Sequence, residues 1–352
     1  MSEKVKDPET GRYLKQEAPD VSLLCWKDFP GVTTVLRNME KTMSKHCKFY
    51  PIEELNVEKL PRAFFDSKKV ILGGWEPSFY PTLCERRNGV SVLLCSSLGQ
   101  MDMSLIEMDY LAQIVSLKHK NIVDSVITGS IEVYYAFRSL IPGLIWVPYP
   151  VDLQEFHNFE YKSKGSYDVG FFLPSHFRKN ISNQLYAVSY AKELMKESND
   201  KLKSVTVTTN IPKLKIPGVS VFEKGWMRRS EYLRIIKSMR LGLHVTFTES
   251  FGYAALDYLL SGVPVLMSST VGINLRLSEL LSKELVVFNP DGVREMAQAI
   301  IRLCMLDEEE YKLLSNACWV HGRSLSKEQN LEFAKWMADF VREEEKSFGK
   351  TD

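Results

Sequence analysis

The sequence predicts an α/β protein of two Rossmann-like domains, each a mostly parallel sheet wound with helices, and three observations carry that expectation. Short apolar runs alternate with helical stretches along nearly the whole chain, which is the grammar of parallel βαβ units. A proline-rich extended segment, Trp146 to Asp152, interrupts the alternation near its middle. The alternation then starts afresh, and one later unit, residues 241–267, places glycines and acids at the turns where such sheets bind ligands.

At 352 residues the chain is long enough for two cores. A net charge of +1 gives no basic footprint for nucleic acid. The longest apolar run, Leu140 to Val151, is cut by Pro142, Pro148 and Pro150, so no membrane span is expected. The charged start of the chain lacks the apolar core of a signal peptide. Six cysteines without close pairing read as the reduced thiols of a cytoplasmic protein. Cys-x-x-Cys and His-x-x-x-His spacings are absent, and no metal is expected.

Taken in order, residues 1–20 are expected to be a flexible N-terminal segment, followed by a first domain over 21–150. Val21 to Trp26 reads as a buried strand, Lys27 to Gly31 as its turn, and Val32 to Lys45 as a helix with Val35, Leu36, Met39 and Met43 on one face. Gly31 therefore stands at a strand-to-helix turn. Further strands are expected at Val70 to Leu72, Val90 to Cys95, Ile122 to Ile127 and Leu144 to Val147. Helices are expected at Pro81 to Arg87, Met103 to Leu117 and Ile131 to Leu140. No Gly-x-Gly-x-x-Gly is present, so a dinucleotide cofactor is not expected. Arg37, Lys41 and Lys45 share one helix face, which reads as a solvated face or, more weakly, as a peripheral membrane contact.

The second domain is expected over 151–325. Its first strand, Tyr167 to Phe172, leads through a loop to Arg178, Lys179 and Asn180 and then a helix from Ile181 to Met195. Short strands at Val205 to Thr209 and Val219 to Phe222 precede Gly225, Trp226 and a helix from Ser230 to Met239. In the central unit, Leu241 to Val245 is a strand, Thr248 to Ser250 a turn, and a helix from Tyr253 closes on Gly262 as a left-handed cap. Val263 to Met267 is the next strand, with Pro264 near its start. His244, inside the Leu241 to Val245 strand, reads as a core histidine. A last strand is expected at Leu285 to Phe288. Helices follow at Val293 to Leu306, Glu308 to Val320 and Lys327 to Glu344, the last with an apolar stripe of Leu331, Phe333, Trp336 and Phe340.

The turn chemistry suggests a phosphate cradle. Gly252 lets backbone approach a ligand, and the amides of Tyr253 and Ala254 open a helix, where anions are favoured. Glu249, in the turn, and Asp257, eight residues on, can accept hydrogen bonds from sugar hydroxyls, although capping or solvated acids are the plain alternative. Arg178 and Lys179 at a helix entry suit an anionic leaving group, although such a pair is otherwise a solvated one.

The whole string, Glu249, Phe251, Gly252, Asp257, Gly262, Pro264 and Val265, resembles the signature of the family 4 glycosyltransferases of the GT-B fold. The resemblance extends from Pro148 through Pro264. It includes the junction Pro148 to Asp152 with Phe156, the pair Lys179 and Asn180, and Gly225. It departs from the family at Asp257, where a second Glu is usual, at Phe171, near the family's Arg, and at Ser96 to Gln100, where a His is frequent; Ser97 or Gln100 could reach a sugar instead.

The resemblance implies two Rossmann-like domains facing across a cleft, a hinge near 148–160, and a C-terminal helix over 326–352 that crosses back to the first domain. It also implies transfer of a sugar, without a metal and with retention of configuration, from a UDP-, GDP- or ADP-sugar to a hydroxyl of a glycan, lipid-linked or protein acceptor. Lys179, Arg178 and Glu249 would be catalytic. Gly31, Gly225, Trp226, Phe251, Gly252, Tyr253, Ala254 and Asp257 would bind the donor, which is a substrate rather than a cofactor. The alternative is a degenerate relative that binds a sugar nucleotide or a protein partner without turnover. An epimerase on the same fold would need further acid/base residues, which the sequence does not place.

Overall fold

Apolar runs such as Val21–Trp26 and Val90–Leu94 bury the central strands of the first sheet, and every pairing in it is parallel. In the computed structural model, the structure describes residues 5–6, 13–14, 18–27, 29–53, 65–80, 83, 89–156, 159, 161, 169–171, 176–195, 204–207, 220–225 and 227–347. Two compact units emerge, one of residues 1–96, 101–152 and 327–352, the other of residues 97–100 and 153–326. Near the start, β1 (Val5–Lys6) and β2 (Tyr13–Leu14) form a small antiparallel pair.

The first unit holds a six-stranded parallel sheet of β3 (Val21–Trp26), β4 (Cys47–Ile52), β5 (Lys69–Gly73), β6 (Val90–Leu94), β7 (Ser125–Thr128) and β8 (Leu144–Trp146), in the order β4-β3-β5-β6-β7-β8. Its helices are α1 (Pro30–Thr42), α2 (Leu98–Met103, shared with the second unit through residues 98–100), α3 (Leu105–His119) and α4 (Ile131–Phe137). The expected helix over Met103 to Leu117 is α3, and a further short helix, α2, precedes it. They part at Ser104, whose extended backbone and hydroxyl cap the amide of Glu107. The strand β4 lies outside the sequence expectation. It carries Pro51, which a ladder admits at an edge, and β4 is an edge strand. The expected helix at Pro81 to Arg87 lies largely outside the described residues.

Arg37, Lys41 and Lys45 are exposed on and just after α1, with Lys41 2.5 Å from Asp152. Asn38 donates to the Pro150 carbonyl (3.0 Å), while Val151 exchanges hydrogen bonds with Asn330 (2.7 and 2.8 Å). The segment ending at Asp152 is therefore held within the first unit.

The second unit holds another six-stranded parallel sheet: β9 (Val169–Phe171), β10 (Ser204–Val207), β11 (Ser220–Glu223), β12 (Leu241–His244), β13 (Val265–Ser268) and β14 (Val286–Val287), ordered β11-β10-β9-β12-β13-β14. Its helices are α5 (Ile181–Leu194), α6 (Arg229–Ser238), α7 (Tyr253–Leu260), α8 (Glu279–Leu285), α9 (Val293–Met305) and the first part of α10 (Glu308–Ser347). The expected strand at Leu285 to Phe288 is shorter, because α8 runs up to Leu285, capped by the Ser278 hydroxyl.

The two expected C-terminal helices form one continuous helix, α10. Gly322 sits in its middle where a Cβ would come within 3.2 Å of Leu259, so this glycine permits close packing rather than a break. The end of α10 belongs to the first unit, where Phe333, Met337 and Phe340 are buried and Lys69 lies 4.1 Å over the Phe340 ring. Leu331 is exposed and lies outside that stripe, since its position points away from Phe333 and Met337.

Candidate functional site

The strand order of the second sheet reverses between β9 and β12, with the chain running outward to β11 on one side and to β14 on the other. Loops leaving two such neighbours diverge, which opens a crevice at their carboxyl ends. Arg178 and Lys179 lie beyond β9, and Thr248 and Glu249 beyond β12, so the predicted cations and the first predicted acid meet there.

Backbone contacts fix the cationic turn before any charge is counted. Phe177–Lys179 form one 3₁₀ turn that ends on Asn180, whose φ of +55° is one that Asn tolerates. Asn180 donates its amide to the Pro290 carbonyl (2.6 Å). Gln184, fully buried in α5, donates to the carbonyls of Lys179 (2.9 Å) and Asn180 (3.2 Å) and accepts from the Val245 amide (3.1 Å). The Phe247 amide donates to the Arg178 carbonyl (2.9 Å). The turn is thereby stitched to the end of β12.

Three basic groups surround one carboxylate. Lys179 Nζ donates to Glu249 Oε2, Arg178 Nη1 lies 3.8 Å from Oε1, and His244 Nε2 lies 3.5 Å from Oε2. The side chains of Lys179 and Glu249 are only 7% and 13% exposed, so solvent screens them little. Burial alone would raise the Glu249 pKa, but Lys179, His244 and Arg178 outweigh it and hold the carboxyl well below the usual range. Burial, with Arg178 in the same direction and Glu249 opposing, pushes Lys179 down. Burial and the two cations likewise lower His244 against the pull of Glu249. Two cations to one carboxylate leave the cluster with surplus positive charge, suited to an anion.

The neighbouring loops give Glu249 a rigid seat. Glu249 bridges in parallel with Val271, and the Ile273 amide donates to the Phe251 carbonyl (3.0 Å). Ser268 and Thr270 both donate to the Thr246 carbonyl (2.6 and 2.9 Å). The Thr248 hydroxyl donates to Ser97 (2.8 Å), so Ser97, buried, supports the turn beside Glu249.

Gly252 starts α7 with a φ of +95°, and a Cβ there would lie 2.5 Å from Val271. Both constraints demand glycine. Phe251 is buried, its ring edge-on to Tyr253 at 5.1 Å. The first bond inside the helix runs from the Leu256 amide to the Gly252 carbonyl (3.1 Å), which puts the amides of Tyr253 and Ala254 at its positive end.

Asp257, one turn into α7, is buried and grips Arg229 through both oxygens (2.5 and 2.6 Å); Arg229 also donates to Glu155 (2.8 Å). The Tyr232 side chain hydrogen-bonds the same carboxylate. Sequence reasoning missed Arg229 and Gln184, because their partners lie 28 and 61 residues away.

Gly225 has a φ of +65° with open space around it, so its backbone conformation, not packing, requires glycine. Gly31 lies in the first turn of α1 in the first unit, exposed and with room for a Cβ. Phe171 ends β9 wholly buried and takes no part in the cluster. Trp226 lies outside the described residues. Among the described residues, no group of three His, Cys, Asp or Glu could hold a metal ion, and no helix is long and apolar enough to cross a membrane.

No family model matches the chain, and no curated protein matches it by sequence. Solved structures do share its fold. A UDP-forming α,α-trehalose-phosphate synthase from Burkholderia xenovorans aligns with a TM-score of 0.65 at 8% identity, over 92% of this chain and 98% of that one. A point mutant of TarM from S. aureus, in complex with fondaparinux, α-GlcNAc-glycerol and UDP, aligns with a TM-score of 0.60 at 15% identity, over 78% and 55%. The N-terminal domain of a Candida albicans trehalose-6-phosphate phosphatase aligns with a TM-score of 0.61 at 10% identity, over 94% and 98%. At these identities the likeness shows the fold, which is the GT-B fold of two Rossmann-like units with a C-terminal helix returning to the first.

Proposed function

We propose that the chain is a glycosyltransferase that moves a sugar from a nucleoside-diphosphate sugar to an acceptor hydroxyl, with the donor held at the β9/β12 crevice. The observation that carries this reading is the convergence of Lys179 and Arg178 on Glu249 beside the Gly252-led start of α7. In the reaction the bond from the sugar's anomeric carbon to the diphosphate breaks and a bond from that carbon to the acceptor oxygen forms. The acceptor's proton passes to an oxygen of the departing diphosphate. No side chain serves as nucleophile, and attack on the leaving-group face retains configuration.

Lys179 and Arg178 stabilise the charge that grows on the diphosphate, aided by the amides of Tyr253 and Ala254. In this reading that charge is met without a metal. Glu249 accepts hydrogen bonds from the transferred sugar. Asp257, oriented by Arg229 and Tyr232, holds the ribose, and Gly225 with Trp226 meets the base. UDP, present in the TarM complex, is the first nucleotide to try, with GDP and ADP beside it. The acceptor is a glycan, lipid-linked or protein hydroxyl, and the setting the cytoplasm.

The second reading, binding without turnover, draws support from the burial of Phe171 and from the commitment of Asp257 to Arg229. Thermal-shift titration with UDP, GDP, ADP and their glucose conjugates separates the two when paired with nucleotide release. One nucleotide should stabilise the wild type by about 2.7 kcal/mol at a hundredfold excess over its Kd. Its sugar should add a gain that Glu249→Ala removes, with nucleotide released. Binding without release supports the second reading, and no shift with any ligand refutes both.

A further inference from the structure

His244 ends β12 and is 2% exposed, yet among the described residues Nδ1 has no hydrogen-bond partner and Nε2 has only Glu249, at the outer limit of 3.5 Å. Buried polar atoms are nearly always partnered, so this one asks for an explanation. Three charged groups face the ring: Glu249, 3.5 Å from Nε2, and Lys179 and Arg178 from the turn beyond β9. Gly252 closes the other side, where a Cβ would lie 3.6 Å from Nε2. Burial and the two cations keep the imidazole uncharged at neutral pH while both cations serve Glu249.

An anion arriving at Lys179 and Arg178 competes with Glu249 for them. Once diphosphate oxygens take the cations, the Glu249 carboxylate is left buried, and a buried charge stripped of its partner is strongly unfavourable. A polar group still in reach is His244, 3.5 Å away. The same event replaces two nearby positive charges with a net negative field, which favours the imidazolium.

We infer that His244 is a positioning residue for Glu249, which takes a proton from solvent and becomes the carboxylate's hydrogen-bond partner when a diphosphate occupies Lys179 and Arg178. The proton returns to solvent when the diphosphate leaves, and no other bond changes. Glu249 is thus kept in place for a sugar hydroxyl after its apo partners have been drawn away. This inference rests on the proposed diphosphate site and deepens it.

The test is histidine-labelled NMR on the full chain, titrated across pH 5–8.5 with and without saturating pyrophosphate, UDP, GDP or ADP. His244→Gln identifies the signal; if that variant does not fold, correlation to the residue's own backbone does so in wild type. The His244 midpoint should lie below that of an ordinary histidine without ligand and rise by at least about one pH unit with it. Glu249→Gln should remove most of that rise. A ligand that binds while the midpoint stays fixed, or an equal rise in Glu249→Gln, overturns the inference and leaves the donor site standing. If pyrophosphate moves the midpoint and no nucleotide binds, the inference holds and the nucleotide reading falls. If none of the four binds, both fall.

Discussion

The two sheets obey one rule and are furnished differently. In the first, the strand order turns at β3 and β5, and the residues at and beyond the ends of those strands include Gly31, Gly73 and Gly74. A Cβ on Gly73 would strike Leu36 and Val32 at 2.7 Å, so that glycine serves the apolar packing of α1. In the second, the order turns at β9 and β12, and the residues at and beyond their ends are Arg178, Lys179, His244 and Glu249. Topology supplies a crevice at both places, but among the described residues only the second is lined by a buried charge cluster. The fold creates the opportunity, and the side chains decide the chemistry.

Breaking the cluster should have the largest effect. Lys179→Met keeps the stem of the side chain and removes its charge, so donor turnover should fall about 10²- to 10³-fold, as when one oxyanion donor is lost. Steady-state nucleotide release checks it. Gln184→Ala should follow: it deletes the amide that joins the Lys179 and Asn180 carbonyls to Val245. Leaving those groups dry should cost about 1–3 kcal/mol in denaturant unfolding, with turnover reduced further because the cation turn loosens.

Acid should sharpen the contrast. The folded pKa values of both His244 and Glu249 are depressed, so the unfolded chain binds each proton first as pH falls. Their contributions to stability are present above the unfolded values, near 6.5 and 4.3, and are lost as pH falls through the folded ones. Melting temperature should decline in two stages below about pH 6.5, and His244→Gln should flatten the upper stage and, by removing one of the groups that depress Glu249, lessen the lower. The smallest effect belongs to the first sheet. Gly31→Ala meets open space, so stability should stay within about 0.5 kcal/mol. Denaturant unfolding checks it.

Much of the fold was legible because strands such as Val21–Trp26 are continuous apolar runs closed by turn residues. The strand Cys47–Ile52 was not, since an edge strand with one proline and a lysine lacks that signature. Nor was the continuity of α10 through Gly322, where tertiary packing against Leu259 outweighs the local cost of glycine. At the site, Lys179, Glu249 and Gly252 were legible because strand-to-helix turns are local strings. The parts played by Gln184, Arg229 and His244 were not, because each depends on a partner set by the sheet rather than by the neighbouring residues. His244 read as a core histidine, and core it is; its charged surroundings come from the turn beyond β9.

Hydrogen exchange with and without the stabilising nucleotide tests the central claim most directly. The account predicts slowed exchange at residues 177–181 and 247–255, lost in Lys179→Met, with residues 29–33 and 73–75 changed far less. Protection confined to the first unit, or spread equally over both crevices, would contradict the assignment of the donor to the β9/β12 crevice.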